Sequence, residues 1–208
     1  MSVFDSLVGQ EPTVELLRSA AANRLPQLGG STSANVAHAW LFTGPAGSGR
    51  SVAALAFAAA LQCDAGGCGE CKACRTTLAG SHPDVLRVTP EGLSIGVESM
   101  RALVLRASGA PTAGRVQVLL IEDADRLTEA AANALLKAVE EPPSRTVFLL
   151  CAPSTHPDDI PLTLRSRCWV VTLVSPSPAA VARVLTERDA VDPVTAELVA
   201  HAAQGHVG

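Results

Sequence analysis

At 208 residues the chain is long enough for one large α/β domain and the beginning of a second element. Its 48% hydrophobic content supports a packed core, and 3% aromatics leave that core to Leu, Val, Ala and Ile. A net charge of −4 excludes a globally basic protein, so any nucleic-acid contact must be a local patch or be shared with other subunits.

The first residues carry neither the basic stretch nor the apolar core of a signal peptide. The longest apolar run, Val52 to Leu61, is ten residues and too short to span a bilayer. A cytoplasmic protein is expected, where six cysteines favour free thiols or a metal over disulfides. Among the basic residues only Lys72 and Lys137 are lysine, an arginine bias along the whole chain.

Residues 3–22 open with a polar turn, Val8 to Pro12, followed by an amphipathic helix carrying Val14, Leu17 and Ala21. Residues 27–35 are rich in Gly and Ser and read as a loop. A short apolar strand, Ala39 to Phe42, then feeds a glycine-rich turn, G-P-A-G-S-G-R-S, from Gly44 to Ser51. An alanine-rich run of high helix propensity follows it. Strand, glycine loop and helix in that order form the context of a phosphate loop. Gly44, Gly47 and Gly49 let backbone N–H groups curl towards an anion, and the helix N-terminus adds partial positive charge. Ser51 stands where a hydroxyl would hold Mg²⁺. The pattern asks for Lys before that hydroxyl, and the chain has Arg50; general Arg-for-Lys drift is an alternative explanation for it.

Cys63, Cys68, Cys71 and Cys74 follow that helix directly, among glycines that allow tight folding. Four thiols at these spacings suit a closed tetrahedral zinc site, structural because it leaves no open coordination position. The alternatives are four small buried residues or a labile redox group. Cys151 and Cys168 lie in apolar runs and read as core.

His82, before Pro83, reads as a turn residue rather than a catalytic base. A strand is expected over Val85 to Val88 and a helix over Val97 to Ala107, with Val97, Arg101, Val104 and Leu105 in step. Arg101, Arg106 and Arg115 read as a solvated face, since no aromatic platform accompanies them. The stretch Arg115 to Arg126 is a buried strand ending in acids. Carboxylates at such a strand end hold Mg²⁺ and orient water in phosphate-loop ATPases, which points to Glu122 and Asp123. Thr128 can cap a helix over Glu129 to Glu141, which Pro142 and Pro143 stop. Further strands are expected at Thr146 to Cys151 and Trp169 to Leu173, joined through a basic turn, Pro161 to Cys168. Alternating strands and helices imply a parallel sheet covered on both faces. From Ser175 a Ser-Pro linker leads into helices with no strand between them.

Taken together, these residues resemble the AAA+ subunits of the bacterial replicative clamp loader, its delta prime branch most closely. The features that carry the resemblance are Val8-Gly9-Gln10, His38 to Phe42, the phosphate loop, the inserted cysteine cluster and His82-Pro83-Asp84. Glu122 to Pro143 and Ser166-Arg167-Cys168 complete the set. The resemblance implies a five-stranded AAA+ domain over residues 1–174 with a zinc module near residues 62–76. Residues 175–208 would begin a helical lid that is truncated here, and a C-terminal collar domain would be absent.

It also implies a DNA polymerase III clamp loader that seats a sliding clamp on primed DNA, with tau/gamma and delta subunits as partners. Within it the delta prime branch is a stator with a degenerate nucleotide site. The arginine of its Ser-Arg-Cys turn, here Arg167, serves as a finger towards a neighbour's ATP; Arg165 is the alternative. Active members carry Asp then Glu at the strand end, whereas this chain has Glu122 then Asp123. With Arg50, this order implies ATP·Mg²⁺ binding that is weak or absent, and no hydrolysis. The competing readings are a tau/gamma-like ATPase, a zinc-organised interaction protein and a nucleotide kinase. The last would not ordinarily carry the cysteine insert.

Overall fold

The computed structural model describes residues 2–22, 38–90, 92–187 and 190–202. The Gly/Ser-rich stretch 27–35 lies outside them. After an N-terminal strap, the elements are α1 (Glu11–Ala22), β1 (Ala39–Thr43), α2 (Arg50–Gln62), α3 (Lys72–Leu78), β2 (Val85–Val88), α4 (Val97–Ala107) and β3 (Gln117–Ile121). They continue with α5 (Glu129–Glu140), β4 (Thr146–Ala152), α6 (Leu162–Arg165), β5 (Trp169–Thr172), α7 (Pro178–Glu187) and α8 (Pro193–Ala202).

The five strands form one parallel sheet in the order β2-β3-β4-β1-β5. The central strands are buried along their whole length, which is why β1, β3 and β4 read as continuous apolar runs. Alternation along each strand divides the core into two layers. Trp40, Phe42, Val118, Leu120 and Leu149 face α1 and α2. Leu41, Leu119, Ile121, Phe148 and Leu150 face α4, α5 and α6. α2 buries Ala53, Ala54, Ala56, Ala58 and Ala59, so it lies close on the sheet, with Phe57 wedged against Trp40 at 4.8 Å between ring centroids. Each fully buried Phe contributes about 1.5–3 kcal/mol from its area alone.

Most expected elements fall within one or two residues of their places. Thr128 caps α5 as the sequence predicts, accepting from the Ala131 N–H at 3.2 Å. The packed face of α4 coincides only in part with the series Val97, Arg101, Val104 and Leu105. Met100 and Ala107 are the buried positions, with Leu103 and Val104 partly covered, while Leu105 is 76% exposed and Arg101 points to solvent. Met100 and Ala107, two turns apart, seat the helix against the core, with Leu103 and Val104 packed at its margin. The strand before the acids is also shorter than expected. β3 ends at Ile121, and the chain turns through Asp123, whose φ of 49° is left-handed, into a 3-10 turn at Ala124–Arg126. Among the described residues no helix is long and apolar enough to cross a membrane.

Candidate nucleotide site and metal centre

Both candidate sites hang from α2. Its N-terminal end receives the glycine loop from β1. Gly44 donates to the Pro153 carbonyl at 3.2 Å, and Gly47 and Gly49 have φ values of 78° and 86° that a side chain would strain. At Gly44 a Cβ would lie 2.4 Å from Ser48 Oγ and 2.7 Å from the Leu173 carbonyl, so this glycine is required by close packing. The cradle's backbone is intact.

The charged side chains around it are engaged elsewhere. The Arg50 guanidinium bends back over the loop, donating from Nη1 to the Gly44 carbonyl at 2.7 Å, and its Nη2 lies 3.6 Å from Asp123 Oδ1. Arg50 is mostly covered, with 17% of its side chain exposed. Glu122 forms an ion pair with Arg87 of β2. Thus one acid at the end of β3, Asp123, is tied to the arginine of the loop and the other, Glu122, to a neighbouring strand.

A cavity of about 570 Å³ opens beside the loop, lined by Leu7 and Val8 of the strap, Gly47 to Val52, and Val184 of α7. Gln10, 4% exposed, closes one corner. Its side-chain amide donates to the Val174 carbonyl at 2.7 Å and to the Ser48 carbonyl at 3.4 Å, and its oxygen accepts from the Val174 N–H at 3.4 Å. One glutamine therefore joins the strap, the glycine loop and the segment leading to α7. The sequence placed Gln10 in a polar turn and in a family motif without assigning it partners; a Gln at the very start of a helix, beside a glycine turn, is the signal that could have marked it.

At its C-terminal end α2 delivers Cys63, the first of the four cysteines. The sulfurs of Cys63, Cys68, Cys71 and Cys74 all lie within 4.8 Å of one another. Cys63 Sγ is 3.6 Å from Cys68 Sγ and 3.7 Å from Cys71 Sγ. A tetrahedral ion with Zn–S bonds near 2.3 Å requires sulfurs about 3.8 Å apart, so this set fits zinc. Backbone N–H groups of Cys68, Cys71 and Cys74 each point at the preceding cysteine's sulfur at 3.4 Å. Burial opposes ionisation of Cys63, but the N–H groups of Cys68, Gly67 and Ala65 outweigh it and lower the thiol to about 6. Burial pushes the Cys74 thiol upward.

The other two cysteines are packing residues: burial pushes both Cys151 and Cys168 up to about 12. His82 is a turn residue, its Nδ1 accepting from the Asp84 N–H at 3.2 Å, and burial lowers its pKa. Arg101 pairs with Glu98 at 3.0 Å on its own helix, and Arg115 pairs with Asp64 of the cysteine module.

Arg167 lies at the other end of the sheet. Its Nη2 is 2.6 Å from Glu140 Oε1, and Nη1 donates to the Thr163 carbonyl at 2.9 Å. Thr172 of β5 is level with Thr43, the residue before the glycine loop. β5 begins only at Trp169, and Arg167 lies in the turn that precedes it, at the opposite end of the strand from that level. Arg167 is therefore remote from the chain's own cradle, and 40% of its side chain is exposed.

A family model described as "DNA polymerase III, delta subunit" matches residues 17–177. The chain is 43% identical to the DNA polymerase III subunit delta' of Pseudomonas aeruginosa over 75% of this chain and 48% of that protein. It is 36% identical to the DNA polymerase III subunit tau of Bacillus subtilis over 79% of this chain and 28% of that one. The chain thus spans less than half the length of both relatives. Among solved structures, the RuvB Holliday junction branch migration motor of Thermotoga maritima aligns with a TM-score of 0.64 and 20% identity, over 96% of this chain and 58% of RuvB. That likeness is one of fold, the AAA+ arrangement of sheet and helices.

Proposed function

The chain belongs to the DNA polymerase III delta-subunit family, and on that premise we propose that it is a non-hydrolysing delta prime (stator) subunit of a bacterial clamp loader. In this reading it helps seat the sliding clamp on primed DNA beside tau/gamma and delta subunits. Residues 1–174 act as its AAA+ domain and residues 175–208 as the start of its lid. The observation that carries the absence of hydrolysis is Arg50. A phosphate-loop lysine presents a compact charge to the β- and γ-phosphates, whereas this planar guanidinium is held against Gly44 and Asp123. Asp123 is the residue placed to orient water, and it stands one methylene shorter than a glutamate would. Errors of that size cost on the order of a hundredfold in rate.

Calorimetric titration with ATP and Mg²⁺, with a hydrolysis assay on the same sample, tests this. No binding, or binding without turnover, is expected. Turnover at motor-like rates that disappears in Ser51→Ala would establish the second reading, a tau-like ATPase. The intact cradle backbone and the similarity to a tau subunit favour that second reading.

The stator's contribution to catalysis is Arg167. Sitting at the end of the sheet opposite its own cradle, it is available only to a neighbour, where it stabilises charge on the γ-phosphate as an arginine finger does. Glu140 holds the guanidinium meanwhile and must yield it to the phosphate. In a loader assembled with Arg167→Ala, DNA-dependent ATPase is expected to fall, with the site facing this subunit slowed by about 10³-fold or more. Full ATPase activity in that loader would refute the assignment. Cys63, Cys68, Cys71 and Cys74 hold one zinc ion in a structural role, since four thiolates leave no position for substrate.

A further inference from the structure

The turn between Cys63 and Cys68 has a second task besides bringing sulfurs together. Gly67, with φ of 107°, offers its carbonyl to the Val3 N–H at 3.0 Å and to Ser2 Oγ at 3.3 Å. A Cβ on Gly67 would sit 2.7 Å from Val3 Cγ2 and 3.2 Å from Ala60 Cβ, so the strap, the turn and α2 meet with no space left. Val3 and Phe4 are 5% and 2% exposed, and the Arg18 guanidinium covers the Phe4 ring at 5.8 Å.

From this anchor the strap runs directly to the cavity. Two turns carry it, Asp5 N–H to the Ser2 carbonyl at 3.1 Å and Leu7 N–H to the Phe4 carbonyl at 3.0 Å. Asp5, Ser6, Leu7 and Val8 then form one wall of the 570 Å³ cavity, and Leu7 Cδ2 lies 3.7 Å from where a Cβ of Gly49 would be. The metal module and the phosphate loop, at opposite ends of α2, are thus also joined through the strap.

We propose that the four-cysteine module is the anchor of this strap, so that metal loading fixes the wall of the cavity beside the phosphate loop. The turn Asp64–Gly67 has two glycines and no apolar side chain larger than that of Ala65; the Asp64–Arg115 ion pair holds its exposed corner, and the flanking sulfurs, once drawn together, set the place of Gly67. When they part, the Gly67 carbonyl moves and the strap loses its hydrogen bond and the packing of Val3. Linkage makes the effect reciprocal: releasing the strap must weaken the hold on the metal by the same factor. The inference does not depend on the stator reading, since it concerns two regions of one chain.

Val3→Pro removes the donated N–H while suiting the second position of the Ser2–Asp5 turn. Two measurements on the zinc-loaded chain test the coupling. In competition with a chromophoric chelator, Val3→Pro is expected to hold one zinc three- to tenfold more weakly than the parent. By hydrogen exchange, the amides of residues 3–8 are expected to exchange at least tenfold faster once zinc is stripped, with β3 and β4 still protected. An unchanged zinc affinity in Val3→Pro overturns the proposal, and so does strap exchange that is indifferent to zinc. If stripping also releases β3 and β4, the zinc affinity of Val3→Pro decides by itself, a weaker hold supporting the coupling and an unchanged one overturning it.

Discussion

One helix, α2, carries a glycine-rich loop at each end, and the two loops differ in what their side chains are left to do. At the N-terminal end the cradle keeps its backbone while Arg50 turns inward to Gly44 and Asp123, and Glu122 is tied to Arg87. At the C-terminal end four sulfurs converge, and the N–H groups aimed at Cys63 favour its thiolate, the form a metal requires. Glycines are held in both places by packing as well as by any guest: Gly44 against Ser48 and Leu173, Gly67 against Val3 and Ala60. A glycine pattern therefore reports that a loop has kept its shape. Whether the loop still works is decided by the side chains that flank it.

The contrast is broken most severely at the cysteine end. In Cys74→Ser the zinc content is expected to fall from one per chain to none, because a buried hydroxyl cannot replace a buried thiolate. Apparent binding energies of structural zinc sites run to about 10 kcal/mol or more, and the part lost from this fold is expected to be several kcal/mol. Metal analysis and thermal denaturation of the same preparation read both effects. A variant that loses its zinc and melts with the parent would show that the module is an ornament on the sheet.

Next in size is Asp84, which supports the same end of α2. Its carboxylate, fully buried, accepts from the N–H groups of Thr112 and Ala113 at 2.7 and 2.8 Å, from that of Gly114, and from Gln117 Nε2 at 3.1 Å. The loop it gathers hands the Arg115 N–H to Gln62, the last residue of α2, at 3.0 Å. Burial opposes the charge, but those donors outweigh it and hold the carboxyl below the ordinary carboxylate range. Its folded pKa is depressed, so its contribution is complete above the unfolded value and is lost as pH falls through the folded one. Asp84→Asn is expected to cost about 3 kcal/mol at pH 7, from charged hydrogen bonds worth about 1.5–3 kcal/mol each. Chemical denaturation at pH 7 and pH 3 should show the parent losing stability on acidification and the variant losing less.

These residues also show what the sequence made legible. The sheet could be read because β1, β3 and β4 are apolar without interruption between glycine and proline signals, and Thr128 announced α5 by its capping chemistry. The cysteines were readable because their ligand set is local, all within twelve positions. The α4 face was only partly legible, because its two fully buried positions, Met100 and Ala107, lie outside the series Val97, Arg101, Val104 and Leu105. Arg50 and Asp123 were visible as departures from a pattern, yet their pairing was not, because it joins residues 73 positions apart across a left-handed turn at Asp123. Asp84 and Gln10 escaped for the same reason. Their partners are mostly backbone groups of distant loops, which no side-chain pattern records.

The smallest expected effect sharpens the comparison at the nucleotide end. Arg50→Lys removes the fork that reaches Gly44 and Asp123 together, and the pair it breaks is partly exposed, so the cost in stability is expected to stay within about 1 kcal/mol. A lysine there can extend towards a phosphate instead of the loop carbonyl, and ATP·Mg²⁺ affinity is expected to rise about tenfold, measured by calorimetry against the parent. Hydrolysis should remain absent, because Glu122 and Asp123 keep their order and Glu122 keeps Arg87. Unchanged affinity in Arg50→Lys would place the defect in the cradle or the cavity rather than in the arginine. Recovered turnover would mean that Arg50 alone had silenced the site, and that the acidic pair tolerates its reversed order.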